Sequence, residues 1–392
     1  MDRFDNPYRP GAGSAPPALV GRDDLIDDFD VTVRRAQDGR PGKSCMLVGL
    51  RGVGKTVLLN RFTEIAERQK MKVGYLEASE GGDFPELLAV RLRRVLLELE
   101  RGTKARRALA AVRRALSVLV SFTQTLPDGT SVTVRAEPLA GLADSGMISE
   151  DLTDLLVAVG EAARSCDSGL LLAIDELQYL TKADMAAVVG STHRTVQLGL
   201  PVVVAGAGLP QVPALLGEAR TYAERLFEFP AIGYLSDNDA TAAVVLPAAD
   251  LGVRFEDGAV ARIIKESGNY PYFLQEWGYH AWNVAPASPI TENDVRAATP
   301  GVVDKLHRDF FRVRYDRLTP KEGEYLRAMA ELGPGPHRSG DIADKLGVKV
   351  TSVAPRRSAL IAKGMIYSPA HGDTAFTVPL FDQFMKRAMP RT

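Results

Sequence analysis

Eight residues, Gly49-Leu-Arg-Gly-Val-Gly-Lys-Thr56, constrain this chain more than any other stretch of it. They follow a short apolar run, 44–48, that reads as a buried strand, and they open a helical pattern over 56–70. Strand, glycine-rich turn and helix in that order fold backbone N–H groups inward beside a helix N-terminus, where they can hold phosphate oxygens. In such a loop Lys55 reaches the β- and γ-phosphates and Thr56 offers its hydroxyl to Mg²⁺. Gly49, Gly52, Val53, Gly54, Lys55, Thr56 and Val57 are the nucleotide-binding candidates. An ordinary glycine-rich turn is the bland alternative; the strand-to-helix context weighs against it.

A second apolar run, Leu170-Leu-Leu-Ala-Ile174, ends in Asp175-Glu176. Alone it is only a strand end. Paired with the loop, it delivers a carboxylate to the sheet edge where ligands of open α/β sheets sit. Asp175 is then the candidate Mg²⁺ ligand and Glu176 the base that polarises an attacking water. The run Thr181-Lys-Ala-Asp184 imitates a guanine-reading motif, but it follows Asp175 too closely, and Thr181 reads better as a helix cap.

Strands at 72–78, 201–205 and 227–232 alternate with helices at 23–37 and 151–164, which predicts an α/β fold with a parallel sheet wrapped on both faces. Residues 85–122 read as a long amphipathic helical region broken at Gly102, and Phe122–Ala136 as a β-hairpin around Pro127-Asp-Gly129. From Arg91 to Arg114 nine Lys/Arg stand against two Asp/Glu, a local +7 that is either a solvated face or a contact for DNA or a partner. Helices follow over 237–246 and 257–283, and Pro286, Pro289 and Pro300 then punctuate the chain. Residues 1–18 read as a flexible leader. Two cysteines in 392 residues rule out a disulfide framework, and neither a signal peptide nor a membrane-spanning run is legible, which predicts a cytoplasmic protein with no membrane partner. The five histidines show no metal-ligand spacing, and Trp277 and Trp282 read as core residues.

The last quarter reads as a separate unit. Thr319 caps a helix that begins at Pro320 and runs to about Leu332, a short helix ends at Gly347, and another spans 351–363. Segments 365–368 and 374–378 then pair as a wing, giving a winged helix-turn-helix. Lys349, Ser352, Arg356 and Arg357 are its candidate contacts to double-stranded DNA. With 12 Lys/Arg against 8 Asp/Glu from Asp316 onward, the charge favours nucleic acid only mildly, and a protein-docking role stays open.

These motifs resemble those of the AAA+ ATPases, in the branch around origin-recognition-like initiators and STAND switch ATPases. The resemblance implies a P-loop NTPase fold of AAA+ type (19–235, with an insertion at about 84–146), a helical lid (236–315) and the winged helix (316–392). Leu19-Val-Gly-Arg-Asp23 is similar to the motif whose residues pack near adenine, which implies that role for Val20. Gly268-Asn-Tyr-Pro271 looks like the lid element whose proline approaches the adenine, implying Pro271. Glu224-Arg-Leu-Phe-Glu-Phe-Pro230 resembles the arginine-finger segment, implying Arg225 in trans within a homo-oligomer, with Arg220 the nearby competitor. Two departures stand out. The strand ending Ala205-Gly-Ala-Gly208 offers no polar residue to watch the γ-phosphate, and the lid lacks an evident second-sensor arginine. The resemblance thus implies a slowly hydrolysing, ATP- and Mg²⁺-dependent DNA-binding switch. Its rivals are a STAND-type signalling ATPase whose winged helix contacts a partner protein, and a helper ATPase for transposition or phage defence.

Overall fold

A computed structural model describes residues 1–11, 13–126, 136–370 and 372–390. The chain divides into two compact units, one of Asp23–Val48 and Leu58–Ala231, the other of Met1–Arg22, Gly49–Val57 and Ile232–Thr392.

The first unit is built on a parallel sheet. Its strands are β1 (Ser44–Gly49), β2 (Lys72–Glu77), β3 (Leu170–Asp175), β4 (Val202–Gly208) and β5 (Phe227–Glu228), in the spatial order β2-β3-β4-β1-β5. A two-residue strand, β6 (Ala231–Ile232), also pairs with β1. Every residue of β3 and β4 is buried. Strands covered on both faces must be apolar throughout, which is why these runs show no alternation. Register pairs Cys45 with Ala205 and Ala173 with Ala205, so β4 lies between the strand that feeds the glycine loop and the strand that ends in Asp175. The expected fifth strand is two short pieces, separated at Phe229 and Pro230.

Between β2 and β3 the described residues form three helices, Phe84–Gly102, Arg106–Gln124 and Ile148–Ser165. Their apolar stripes, including Leu92, Leu96, Val112, Leu119, Leu155 and Val159, join the sheet in one core. The hairpin expected over Phe122–Ala136 is corrected at its start: the second helix continues through Gln124, because Val118, Leu119 and Phe122 keep its buried face going. Pro127-Asp-Gly129 and the rest of that hairpin fall in residues 127–135, outside the described residues. Pro300 does not punctuate the chain either. It lies inside the helix Glu292–Lys305.

In the second unit the helices Asp237–Ala249, Asp257–Ser267, Pro271–Val284 and Glu292–Lys305 pack around Phe273, Trp277 and Trp282. The segment expected to be a flexible leader is packed onto them. Tyr8 is only 2% exposed and its hydroxyl donates to the Val244 carbonyl. A Cβ at Gly278 would fall 2.6 Å from the Tyr8 ring. Asn6 donates to the Tyr279 carbonyl at 3.0 Å, and the Trp282 indole donates to the Asp2 carbonyl at 2.8 Å. A single aromatic seated against a glycine, with its polar tip satisfied, outweighs the local Pro/Gly composition.

Toward the C-terminus come the helices Pro320–Leu332, Ser339–Leu346 and Val350–Ala362. Thr319 and Glu322 close a capping box on the first, and Gly347 ends the second in the left-handed conformation. The strands β7 (His337–Arg338), β8 (Ile366–Tyr367) and β9 (Asp373–Phe376) form a small antiparallel sheet in the order β7-β9-β8. Strand β7 and a final helix, Phe381–Ala388, were not anticipated; Phe381 and Phe384 of that helix are buried.

Truncating Tyr8 to Ala should cost about 3–5 kcal/mol of stability, the range for a fully buried aromatic. Chemical denaturation of the full chain checks this, and a loss below about 1 kcal/mol would mean the leader is not anchored there.

Candidate functional site

The glycine loop has the backbone its sequence requires. Gly52 and Gly54 take φ of 80° and 94°, where any side chain is strained. Gly49 needs its lack of side chain for a different reason: a Cβ would sit 2.1 Å from the Ile232 carbonyl oxygen. Lys55 opens the helix Lys55–Arg68, and its Nζ donates to the Leu50 carbonyl at 2.7 Å, folding the ammonium back over the loop. A Cβ at Gly13 would lie 3.5 Å from the Thr56 methyl. The loop touches the start of the helix Pro271–Val284 directly. The Gly52 carbonyl accepts from the Tyr272 N–H at 3.3 Å, and a Cβ at Gly52 would meet the Tyr270 hydroxyl at 2.9 Å. Pro271, the expected adenine-side residue, lies between those two tyrosines at the first position of its helix. Val20 is half-buried beside Gly21, whose missing side chain makes room for Asp239.

The acidic strand end belongs to the sheet unit. Asp175 is buried at the carboxyl end of β3. Its Oδ1 accepts from the Glu176 N–H at 2.8 Å and its Oδ2 from the Tyr75 hydroxyl at 3.2 Å. Burial, and then the Asp175 charge, push the Tyr75 hydroxyl well above its ordinary range, which keeps it a proton donor to that carboxylate. Glu176 sits at φ 55°, ψ 42°, a left-handed conformation costly for a side chain other than glycine. Strain of that kind persists only where surroundings enforce it.

Gln178 is the residue that sequence reasoning passed over. It stands two positions past Glu176. Its Nε2 donates to the Glu176 carboxylate, and its Oε1 accepts from the Leu209 N–H at 3.0 Å. One amide thus ties the end of β3 to the residue just past β4, the strand whose own terminal Ala and Gly carry no polar side chain. The signal was present in the sequence: a polar residue two positions past an acid, beside a strand with nothing polar to offer.

Thr181 caps the helix Lys182–Gln197 in a capping box with Asp184, which gives Thr181 and Asp184 a structural task. Arg225 and Arg220 are both exposed, Arg225 on the short helix Ala223–Leu226. The four C-terminal candidates separate. Lys349 and Ser352 are exposed at the start of the helix Val350–Ala362. Arg356 lies 3.9 Å from Glu324. Arg357 does not face outward as expected; it donates to Thr374 Oγ1 at 2.9 Å, Ser368 Oγ at 2.7 Å and the Asp373 carbonyl at 3.0 Å, joining its helix to the small sheet.

A parallel sheet with helices on its faces and a glycine loop between β1 and a helix define a P-loop NTPase fold of AAA+ type. Residues 18–205 match the model of the AAA ATPase domain family, and residues 308–385 match a domain of unknown function, DUF8462. Among solved structures, the Walker-type ATPase PABY2304 of Pyrococcus abyssi is similar over 94% of this chain and 96% of its own, at 14% identity and a TM-score of 0.58. Two others overlay more loosely. The Thermotoga maritima RuvB Holliday junction branch migration motor (15% identity, 95% of each chain) gives a TM-score of 0.44. The Aeropyrum pernix ORC1 protein in complex with DNA (13% identity, 95% of this chain and 94% of that one) gives 0.46. No curated protein sequence matches the chain. Among the described residues, no helix is long and apolar enough to cross a membrane.

Replacing Gln178 by Ala leaves the buried Leu209 N–H without its partner, at a cost of about 1–3 kcal/mol. It should also slow ATP hydrolysis about tenfold, one factor of 1.4 kcal/mol, while leaving nucleotide affinity within twofold. Unchanged turnover measured by phosphate release would remove Gln178 from the site.

Proposed function

We propose that the chain is a slowly hydrolysing ATPase that acts as a nucleotide-dependent DNA-binding switch in the cytoplasm. The glycine loop carries this reading: its residue types, left-handed glycines and strand-to-helix setting all serve phosphate binding, within a domain of the AAA ATPase family. In this reading Gly49, Gly52, Val53, Gly54, Lys55, Thr56 and Val57 hold the phosphates, and Val20 and Pro271 flank the adenine. Thr56 and Asp175 would hold Mg²⁺, which would neutralise phosphate charge. Mg²⁺ bound with a nucleotide keeps several waters and needs only one or two protein oxygens, so one hydroxyl and one buried carboxylate suit it. Glu176 takes the proton of the attacking water; its backbone N–H donates to Asp175, and the hydrogen bond from Gln178 restricts where its carboxylate can point.

The absence of a polar side chain at the end of β4 supports slow turnover. Arg225 serves as an arginine finger from a neighbouring copy, and its exposure is compatible with that task. The parts that move are the ATPase domain 19–235, the lid 236–315 and a winged helix 316–392. DNA is met by Lys349 and Ser352, and to a lesser degree by Arg356; Arg357 works inside the unit. A second reading, in which the C-terminal unit docks a protein, is favoured by Val348 and Val350, both exposed on either side of Lys349.

Lys55→Ala should abolish ATP binding. Glu176→Gln should keep binding and lower turnover by about 10²–10⁴, the usual worth of a general base. Both are read by equilibrium binding of a fluorescent ATP and by phosphate release; wild-type turnover in Glu176→Gln would refute the assigned base. On duplex DNA, Lys349→Ala should reduce the slope of log affinity against log salt by about one. Arg357→Ala should instead lower the melting temperature of the chain.

A further inference from the structure

A polar cavity of about 470 Å³ opens at the foot of the parallel sheet, lined in part by Arg68, Gln69, Lys70, Arg164, Asp167 and Ser168. Its walls come from the ends of two helices, Lys55–Arg68 and Ile148–Ser165, and from the residues that lead on into β2 and β3. The floor is firmly built. The Lys72 N–H donates to the Gly169 carbonyl and the Leu170 N–H to the Pro201 carbonyl, both at 2.8 Å. A Cβ at Gly169 would fall 2.8 Å from that same Pro201 oxygen. The neutral side chains are already committed: Ser168 Oγ donates to the Lys70 carbonyl at 2.8 Å, and Gln69 Nε2 to Asp30 at 2.9 Å. The charged ones are not. Among the described residues, the side chains of Arg68, Lys70, Arg164 and Asp167 make no ion pair or hydrogen bond.

Cations near a helix C-terminus answer its dipole, and Arg68 and Arg164, in the last turns of their helices, need no other reason to be there. Lys70 and Asp167 do need one. Each closes its helix in the left-handed conformation, at φ of 63° and 50°. The N–H groups of Lys70 and Met71 bond back to the Glu67 and Ala66 carbonyls, and those of Asp167 and Ser168 to the Arg164 and Ala163 carbonyls. Glycine takes such a closing position with the least strain. Two charged and exposed side chains thus stand, at a conformational cost, on the rim of one cavity. Strain of that kind points to a task for the side chains that incur it.

We propose that this cavity binds a small hydroxylated phosphomonoester, of the sugar-phosphate class. Arg68, Arg164 and Lys70 set three positive charges against a dianion. The guanidinium forks donate in pairs to phosphate oxygens, and the Lys70 ammonium acts as a point charge. A bare anion gains nothing from Asp167, which repels it. A ligand with hydroxyl groups donates to that carboxylate and fills volume that a phosphate alone leaves empty. The class follows from this combination of three cations with one acid. The site is separate from the glycine loop. It lies at the far end of the helix that Lys55 opens, about 20 Å along the axis, and it does not depend on the reading of that loop.

Isothermal titration calorimetry of the full chain with ribose 5-phosphate, inorganic phosphate and ribose tests the site. Ribose 5-phosphate should bind saturably and more tightly than inorganic phosphate, and ribose should not bind. Lys70→Gly removes the ammonium and relieves the left-handed strain. It should therefore melt no lower than wild type and yet bind ribose 5-phosphate about tenfold more weakly. Arg164→Ala should weaken binding to a similar extent, and Asp167→Gly should erase the preference over inorganic phosphate. An unchanged preference in Asp167→Gly would overturn the hydroxyl contact, and with it the class. No saturable binding of ribose 5-phosphate to wild type would overturn the site itself. So would binding that survives Lys70→Gly and Arg164→Ala and is displaced by ADP, since that puts the phosphate on the glycine loop. Weaker binding of a labelled DNA duplex by Lys70→Gly, with ribose 5-phosphate unbound by wild type, would assign the cations to a nucleic-acid backbone and overturn it as well.

Discussion

Complete burial of β3 and β4 is the constraint on which the rest of the molecule depends. A strand covered on both faces can carry no charge along its length, so every polar function of the sheet is forced to a strand end. Asp175 is the first position at which β3 can present a carboxylate. The cost of burying it is offset by hydrogen bonds from Glu176 N–H and the Tyr75 hydroxyl. Glu176 then turns the chain sharply in a left-handed conformation, and Gln178 ties that turn to the residue after β4. Strain, burial and polar satisfaction at this edge are aspects of a single arrangement.

The phosphate loop answers a different demand. Its glycines are needed for two separate reasons, positive φ at Gly52 and Gly54 and close backbone approach at Gly49. Its contacts run to Tyr270 and Tyr272 and, through Arg51, to the Gly364 turn. Those two tyrosines are packed in turn, Tyr270 against Phe273 and Tyr272 stacked on Phe310.

Much of this was legible because chemistry restricts residue type at fixed spacing. Gly49–Thr56 and Asp175-Glu176 stand out for that reason, and so do the caps Thr181 and Thr319, whose side chains must accept from N–H groups three residues on. Features set by distant partners were not legible. Tyr8 has no local sign that Gly278 and Val244 await it, so the leader read as flexible. Turn residues near 127 suggested a hairpin, while the buried stripe through Val118 and Phe122 continued the helix. Arg357 looked like its neighbour Arg356, and only the position of β9 shows that its guanidinium is spent inside the fold. Gln178 was visible but could not be given a role until Leu209 was seen beside it.

The central claim is that nucleotide state changes how the C-terminal unit meets DNA. Fluorescence anisotropy of labelled duplex DNA with the full chain, in saturating ATP and then in ADP at two salt concentrations, tests it most directly. The account predicts affinity that falls steeply with salt, as phosphate contacts require, and that differs between the two nucleotides. Equal affinity with ATP and ADP, or no binding in either, would contradict it and leave the C-terminal unit as a protein-docking element.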